Sequence, residues 1–119
     1  MKKVRVAQKF AQFSEYWTPK IVGELNGQYV KLAKFKGDFV MHQHEREDEL
    51  FFVLEGVLMI ELEDQTLQIN AGEFVIIPCG VKHRPYAHEE VHVMLLEPAS
   101  TLNTGDADSE LTVSKPEHI

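Results

Sequence analysis

The sequence is poor in cysteine and in positive charge. Its single cysteine, Cys79, excludes an internal disulfide framework. Lysine and arginine number 12 against 19 aspartates and glutamates, a formal net charge of −7. Nucleic-acid phosphates need a basic face, so this balance argues against a nucleic-acid partner. It argues equally against an anionic membrane surface. No apolar run approaches the roughly 18 residues of a transmembrane helix, so no membrane partner is expected. Met1-Lys2-Lys3 begins with positive charge, but no apolar stretch follows it as in a secretory leader. A cytoplasmic protein is the default expectation. Internal repeats and low-complexity blocks are also lacking.

What remains is an ordinary globular composition. The 119 residues are 44% hydrophobic and 26% charged, which fits one domain. A chain of this length buries roughly two-thirds of its unfolded surface, enough for a core without covalent staples.

Near the N-terminus, Val6, Phe10, Phe13 and Trp17 recur at steps of four, three and four. That is helical periodicity, and Pro19 would end the helix. A short amphipathic helix packed on the domain or on a partner subunit is expected. Its polar face is not strongly basic, so no membrane or cofactor role is assigned to it.

From residue 20 the chain becomes short apolar runs: Ile21–Val22, Tyr29–Phe35, Phe39–His44, Leu50–Leu54, Val57–Leu62, Leu67–Ile69, Phe74–Ile77 and Val91–Leu96. Asn26-Gly27, Gly37-Asp38, Glu55-Gly56, Asn70-Ala71-Gly72 and Pro78-Cys79-Gly80 punctuate them. Many short strands with such turns indicate an all-β sandwich or barrel. Leu58, Ile60 and Leu62 share one strand face, with Glu61 and Glu63 on the other. Leu50–Leu54 is apolar on both faces, so both must be covered. A homodimer is expected to supply part of that cover. After Pro98 few apolar residues remain, and the chain reads as a tail or extended arm.

His42 and His44 are two apart, and side chains at i and i+2 on a strand point to one face. The acidic run Glu45-Arg46-Glu47-Asp48-Glu49 follows. Imidazole and carboxylate are the ligands of borderline divalent metals. Glu49 is the favoured carboxylate because it leads directly into the next strand, with Glu47 next. His83, just after Pro78-Cys79-Gly80, is the fourth candidate. These residues suggest a metal site inside a small β-barrel. His92 could face the cavity as a proton donor. Tyr29, Arg84 and Tyr86 could reach a substrate at the mouth. Cys79 lacks an adjacent base and is read as passive, and His118 as solvated.

The spacing resembles the two motifs of the cupin superfamily, specifically its small single-domain members. The first runs Gly37, four residues, His42-Gln43-His44, four residues, Glu49, six residues, Gly56. The second runs Gly72, five residues, Pro78-Cys79-Gly80, two residues, His83. The gap before His42 is one residue shorter than usual, and Ala87 stands where the second motif often has asparagine. The resemblance implies a double-stranded β-helix, or jelly-roll barrel, over residues 28–98. Residues 1–27 would form the helix and a lead-in strand, and 99–119 an extended tail. It implies His42, His44, Glu49 and His83 as ligands of one divalent ion: Fe, Mn, Zn or Ni. Three neutral imidazoles and one carboxylate would leave the site at net +1. An octahedral ion there would keep about two open positions. The functional expectation is a metal-dependent enzyme on a small polar or anionic metabolite, of isomerase, epimerase, decarboxylase or dioxygenase type. The alternative is a non-catalytic cupin that binds or senses a small ligand.

Overall fold

The computed structural model describes residues 1–119. One helix, α1 (Val6–Phe10), precedes β1 (Lys20–Leu25), β2 (Gln28–Asp38), β3 (Glu49–Glu55) and β4 (Val57–Glu61). Then come β5 (Thr66–Asn70), β6 (Phe74–Ile77), β7 (Arg84–Pro98) and β8 (Glu117–His118). The domain is all-β apart from one helical turn, and no helix is long and apolar enough to cross a membrane.

The longest strand organises the rest. One edge of β7 pairs with β2, from Gln28 opposite Pro98 to Asp38 opposite Tyr86. Its other edge is divided. Arg84–Tyr86 pair with β4, while His92–Leu96 pair with β3. β4 carries β5, and β3 carries β6. The β2–β7 ribbon therefore belongs to two sheets, and it turns from one to the other where its register shifts between Phe35 and Gly37. Gly37 has φ +78°, a conformation that glycine adopts without a Cβ penalty. The result is a jelly roll of two facing sheets. The ladder order β5-β4-β7-β2-β1-β8 does not close on itself.

Strand alternation sets the core. Ala33, Phe35, Val53, Leu58, Ile60 and Val93 face inward and are at most 4% exposed. Leu62 is half-buried, in line with the alternation expected of β4 and the residues after it. The outer face of β2 has a smaller cluster, in which Phe10 and Phe13 cover Leu32. Leu54 and Met94 pack against that cluster. Farther along the same outer face, Phe74 and Ile76 are 60% and 52% exposed, with no cover from this chain.

Two expectations need correction. The N-terminal helix is only five residues long. Trp17 is not on its face: it has φ +59° and its amide donates to Lys34 O at 2.9 Å. Its ring enters the interior and stacks on Phe35 and Phe39 at 4.2 and 4.7 Å. The apparent period of the four residues thus joins two different cores. Second, Phe39–His44 is not a strand, and only His42 forms a bridge, with His83. The expected apolar run Val91–Leu96 lies inside one longer strand, β7, which runs from Arg84 to Pro98 with Pro85 and Ala87 buried as inward-facing residues.

The segment after Pro98 is an arm that returns across the domain. Thr104 is fully buried, and its hydroxyl bonds that of Thr112 at 2.6 Å. β8 pairs in parallel with β1. Gly105 lies against the Gln43 carbonyl so closely that a Cβ there would collide with it.

Gly56 closes the β3–β4 turn at φ +88°, and a Cβ would sit 2.8 Å from the Glu90 carbonyl oxygen. Gly56→Ala combines left-handed strain with a backbone clash. We expect a loss of roughly 1–3 kcal/mol in urea unfolding. An unchanged midpoint would contradict this packing.

Candidate metal centre

Two loops meet at one end of the jelly roll, and backbone hydrogen bonds fix them to each other. His42 N donates to His83 O at 3.0 Å, and His83 N donates to His42 O at 2.9 Å. Gly80 N donates to His44 O at 2.7 Å. The Asp48 carboxylate accepts from Cys79 N at 2.8 Å, which holds the Pro-Cys-Gly turn. The arm adds a clamp: Gln43 N donates to Asp106 Oδ1 at 3.0 Å, and Asp106 N donates to Gln43 O at 3.1 Å.

This framework brings all four expected residues together. His42, His44, Glu49 and His83 are each 4% exposed or less. One donor atom from each lies within 4.8 Å of the other three, a group that could hold a metal ion. Glu49 Oε1 is 3.5 Å from His44 Nε2 and 3.4 Å from His83 Nε2, too long for good hydrogen bonds. Two donors each about 2.1 Å from one ion lie about 3–4.2 Å apart, so the spacing suits a shared ion after small adjustments.

The ring nitrogens are sorted as a metal site needs. His42 Nδ1 is 2.9 Å from the Val40 carbonyl, and His83 Nδ1 is 2.9 Å from that of Val81. A carbonyl can only accept, so both rings carry their proton on Nδ1 and present a lone pair at Nε2. His42 Nε2, His44 Nε2, His83 Nε2 and Glu49 Oε1 are buried without any hydrogen-bond partner. Each such orphan costs about 1–3 kcal/mol, so four converging in one place fit a divalent ion as their common partner.

Glu47, the alternative carboxylate, turns away and accepts from Ser100 Oγ at 2.8 Å. His92 is outside the cavity, stacked on Phe10 at 4.4 Å and 2.7 Å from Glu90. β7 points Val91, Val93 and Leu95 inward, so His92 must point outward. Arg84 pairs with Glu61 and Asp38 and stacks on Tyr86, on the outer side of β7. Tyr29 lies opposite Glu97 in the β2–β7 ladder, by Lys31 and His118, and is not among the four clustered residues. Cys79 and His118 are exposed.

Sequence reasoning missed Glu97 and Lys31. The β3–β7 register sets Leu50 opposite Leu96, which places Glu97 beside Glu49. Glu97 is 1% exposed, and its Oε1 accepts from Lys31 Nζ at 2.7 Å. The available signal was alternation: Glu97 continues the inward row Val91, Val93, Leu95. For Glu49, burial alone would raise the pKa. Glu97 and the two imidazoles outweigh burial and hold the carboxyl well below its usual range. For Glu97, burial and then the adjacent Glu49 charge push its carboxyl well above that range, against the pull of Lys31. Of two touching carboxyls, the one facing the imidazoles stays ionised.

Residues 28–98 match the family model for the cupin domain. This chain belongs to the cupin-domain family. A cupin-2 domain protein from Shewanella frigidimarina has a similar crystal structure, with TM-score 0.79 and 42% identity, covering 80% of this chain and 93% of that one. The uncharacterized protein YdbB of Bacillus subtilis is 40% identical over 80 residues, 66% of this cupin and 65% of YdbB. Quercetin 2,3-dioxygenase of Bacillus subtilis is 33% identical over 61 residues, 49% of this chain but 18% of the enzyme. The chain thus spans less than two-thirds of either of these curated relatives.

Burial, and next the neighbouring His83, lower the His42 pKa from 6.5 to about 4. In the metal-free protein the unfolded chain therefore takes up a proton at this residue before the folded one does. Stability should fall as pH drops from about 6.5 to 4, by up to roughly 3 kcal/mol from His42. Urea unfolding of apo protein across that window should show the slope, and His42→Asn should flatten it. An equal slope in the variant would contradict the assignment.

Proposed function

We propose that this cupin binds one divalent ion through His42, His44, Glu49 and His83 and acts as a metal-dependent enzyme on a small molecule. The observation that carries the reading is the convergence of four buried donors that have no other partner. A bound divalent ion supplies Lewis-acid or one-electron chemistry at that point. The chain's own residues do the rest. Val40 and Val81 hold two imidazoles in the tautomer that offers Nε2. Glu97 and Lys31 support Glu49 from behind. The aromatic cluster around Trp17 limits water near the ligand set. Similarity to quercetin 2,3-dioxygenase favours oxygen-dependent oxidation over isomerisation or decarboxylation. The exposed Phe74 and Ile76 support a homodimer in which a second copy covers β6.

Protein purified without a histidine tag should carry about one divalent ion per chain by elemental analysis. His44→Ala should bind that ion at least about tenfold more weakly. Oxygen uptake on adding substrate would support the oxidative reading. Saturable binding of unchanged ligand would leave a non-catalytic cupin. Absence of metal after reconstitution of the wild type would end the metalloenzyme reading. Light scattering should give twice the 13.6 kDa chain mass, and a monomer would remove the dimer.

A further inference from the structure

The candidate ligand set is sealed. His42 Nε2, His44 Nε2, His83 Nε2 and Glu49 Oε1 are shut off from solvent. The space beside Glu49 and Glu97 measures about 20 Å³, room for about one water. A divalent ion and its small ligands cannot reach these donors unless some segment moves. Most of the surroundings are firmly held. Glu49 and Glu97 stand in ladder strands. The rings of Trp17, Phe35 and Phe39 stack on one another. The His42–His83 backbone pair ties the two ligand loops together.

The C-terminal arm is held differently. Ala99–Pro116 contains no helix or strand, and its only buried residues are Thr101 and Thr104. Ordered loops longer than roughly 15 residues, without secondary structure of their own, are usually functional. Of the arm's apolar side chains only Leu111 packs, half-buried, against the main core. Bonds from Asn103 to Leu111 and Val113, and from Thr104 to Thr112, are internal to the arm. Beyond the turn at its root, the arm's hydrogen bonds to the rest of the domain all reach the loop that carries His42 and His44. Ser100 Oγ donates to Glu47 at 2.8 Å. The Asp106 carboxylate accepts from Gln43 N at 3.0 Å and from Gln43 Nε2 at 3.3 Å. The Asp106 amide donates to Gln43 O at 3.1 Å. Gly105 seats the arm on the same loop: an added Cβ would strike the Gln43 carbonyl and lie 3.0 Å from His42 Cδ2. Both ends are anchored, at Pro98 in β7 and at Glu117 in β8, so the arm can lift without leaving. Resting on the metal reading above, we propose that Ala99–Pro116 is a strap over the His42–His44 loop that opens as a unit to admit the ion and its small ligands, with Asp106 on Gln43 as its latch. A segment with few buried apolar contacts and exposed hydrogen bonds opens at lower cost than the ladders around it.

Hydrogen exchange of the metal-free chain reads the opening directly. The Gln43 and Asp106 amides, which bond only across the latch, should share one protection factor, at least about tenfold below those of His42 and His83. Zinc kinetics read its consequence. Asp106→Ala should speed zinc uptake and zinc release to a chelating dye by about tenfold each, the equivalent of about one hydrogen bond, and leave affinity nearly unchanged. Asp106→Asn keeps an acceptor for Gln43 N and should fall between that variant and the wild type. Ser100→Ala, which removes the bond to Glu47, should act in the same direction. Faster release with unchanged uptake would make Asp106 a support for His42 alone and overturn the strap. Unchanged rates in Asp106→Ala, or latch amides as protected as those of His42 and His83, would overturn it too. Should Asp106→Ala fail to fold, exchange in the wild type decides. Zinc binding by the wild type tests the ligand set separately: no uptake would count against the metal role, and hydrogen exchange would still decide whether the strap opens.

Discussion

The site depends on one reciprocal pair of hydrogen bonds. His42 and His83 exchange N–H and carbonyl groups across two loops that are otherwise far apart in sequence. Because the same two residues carry the side-chain donors, backbone pairing sets the separation of the imidazoles directly. Gly80 to His44 and Cys79 to Asp48 extend the seam in both directions. Glu49 then needs no loop of its own: it is the first residue of β3, held by the ladder to β6 opposite Ile77. Loops supply the three imidazoles, and a rigid strand supplies the carboxylate.

Stability alone does not explain this arrangement. Three imidazoles, two carboxyls and one ammonium are buried within one end of a small domain. Buried ion pairs such as Lys31–Glu97 usually contribute little over a well-packed apolar substitute. Partnerless nitrogen and oxygen atoms cost more still. Conflicts of this kind with core-packing rules concentrate at functional sites. Here the conflict coincides with the four candidate metal ligands, whereas Val53, Leu58 and Val93 elsewhere in the interior have only apolar side chains. The C-terminal arm fits the same logic. It lines the small space beside Glu49 with Asn103 and clamps Gln43 between the two histidines of the pair, so it belongs to the site rather than to the solvent.

Much of the fold, and the clustering of all four candidate ligands, was legible in sequence, because both rest on local signals. Turn glycines and alternating apolar residues marked β2 to β6 closely. The spacing of the cupin motifs picked out the four donors. What stayed hidden depended on tertiary placement. Trp17 kept step with a helical period yet belongs to the interior, since a left-handed residue redirects the chain there. His42 and His44 point together without lying on a strand, because loop hydrogen bonds replace the ladder. Glu97 was masked by its position in a long strand whose inward row is otherwise Val91, Val93 and Leu95. The arm lacked apolar residues to announce it, because it is held by hydrogen bonds from Thr104, Asn103 and Asp106 instead.

The most direct test is anomalous diffraction at the absorption edge of a metal added to the purified protein. One strong peak should lie about 2.0–2.2 Å from Nε2 of His42, His44 and His83 and from Oε1 of Glu49. Light atoms or water would fill its remaining coordination positions. A peak at another cluster, or none at these four atoms when metal is in excess, would rule out this metal centre.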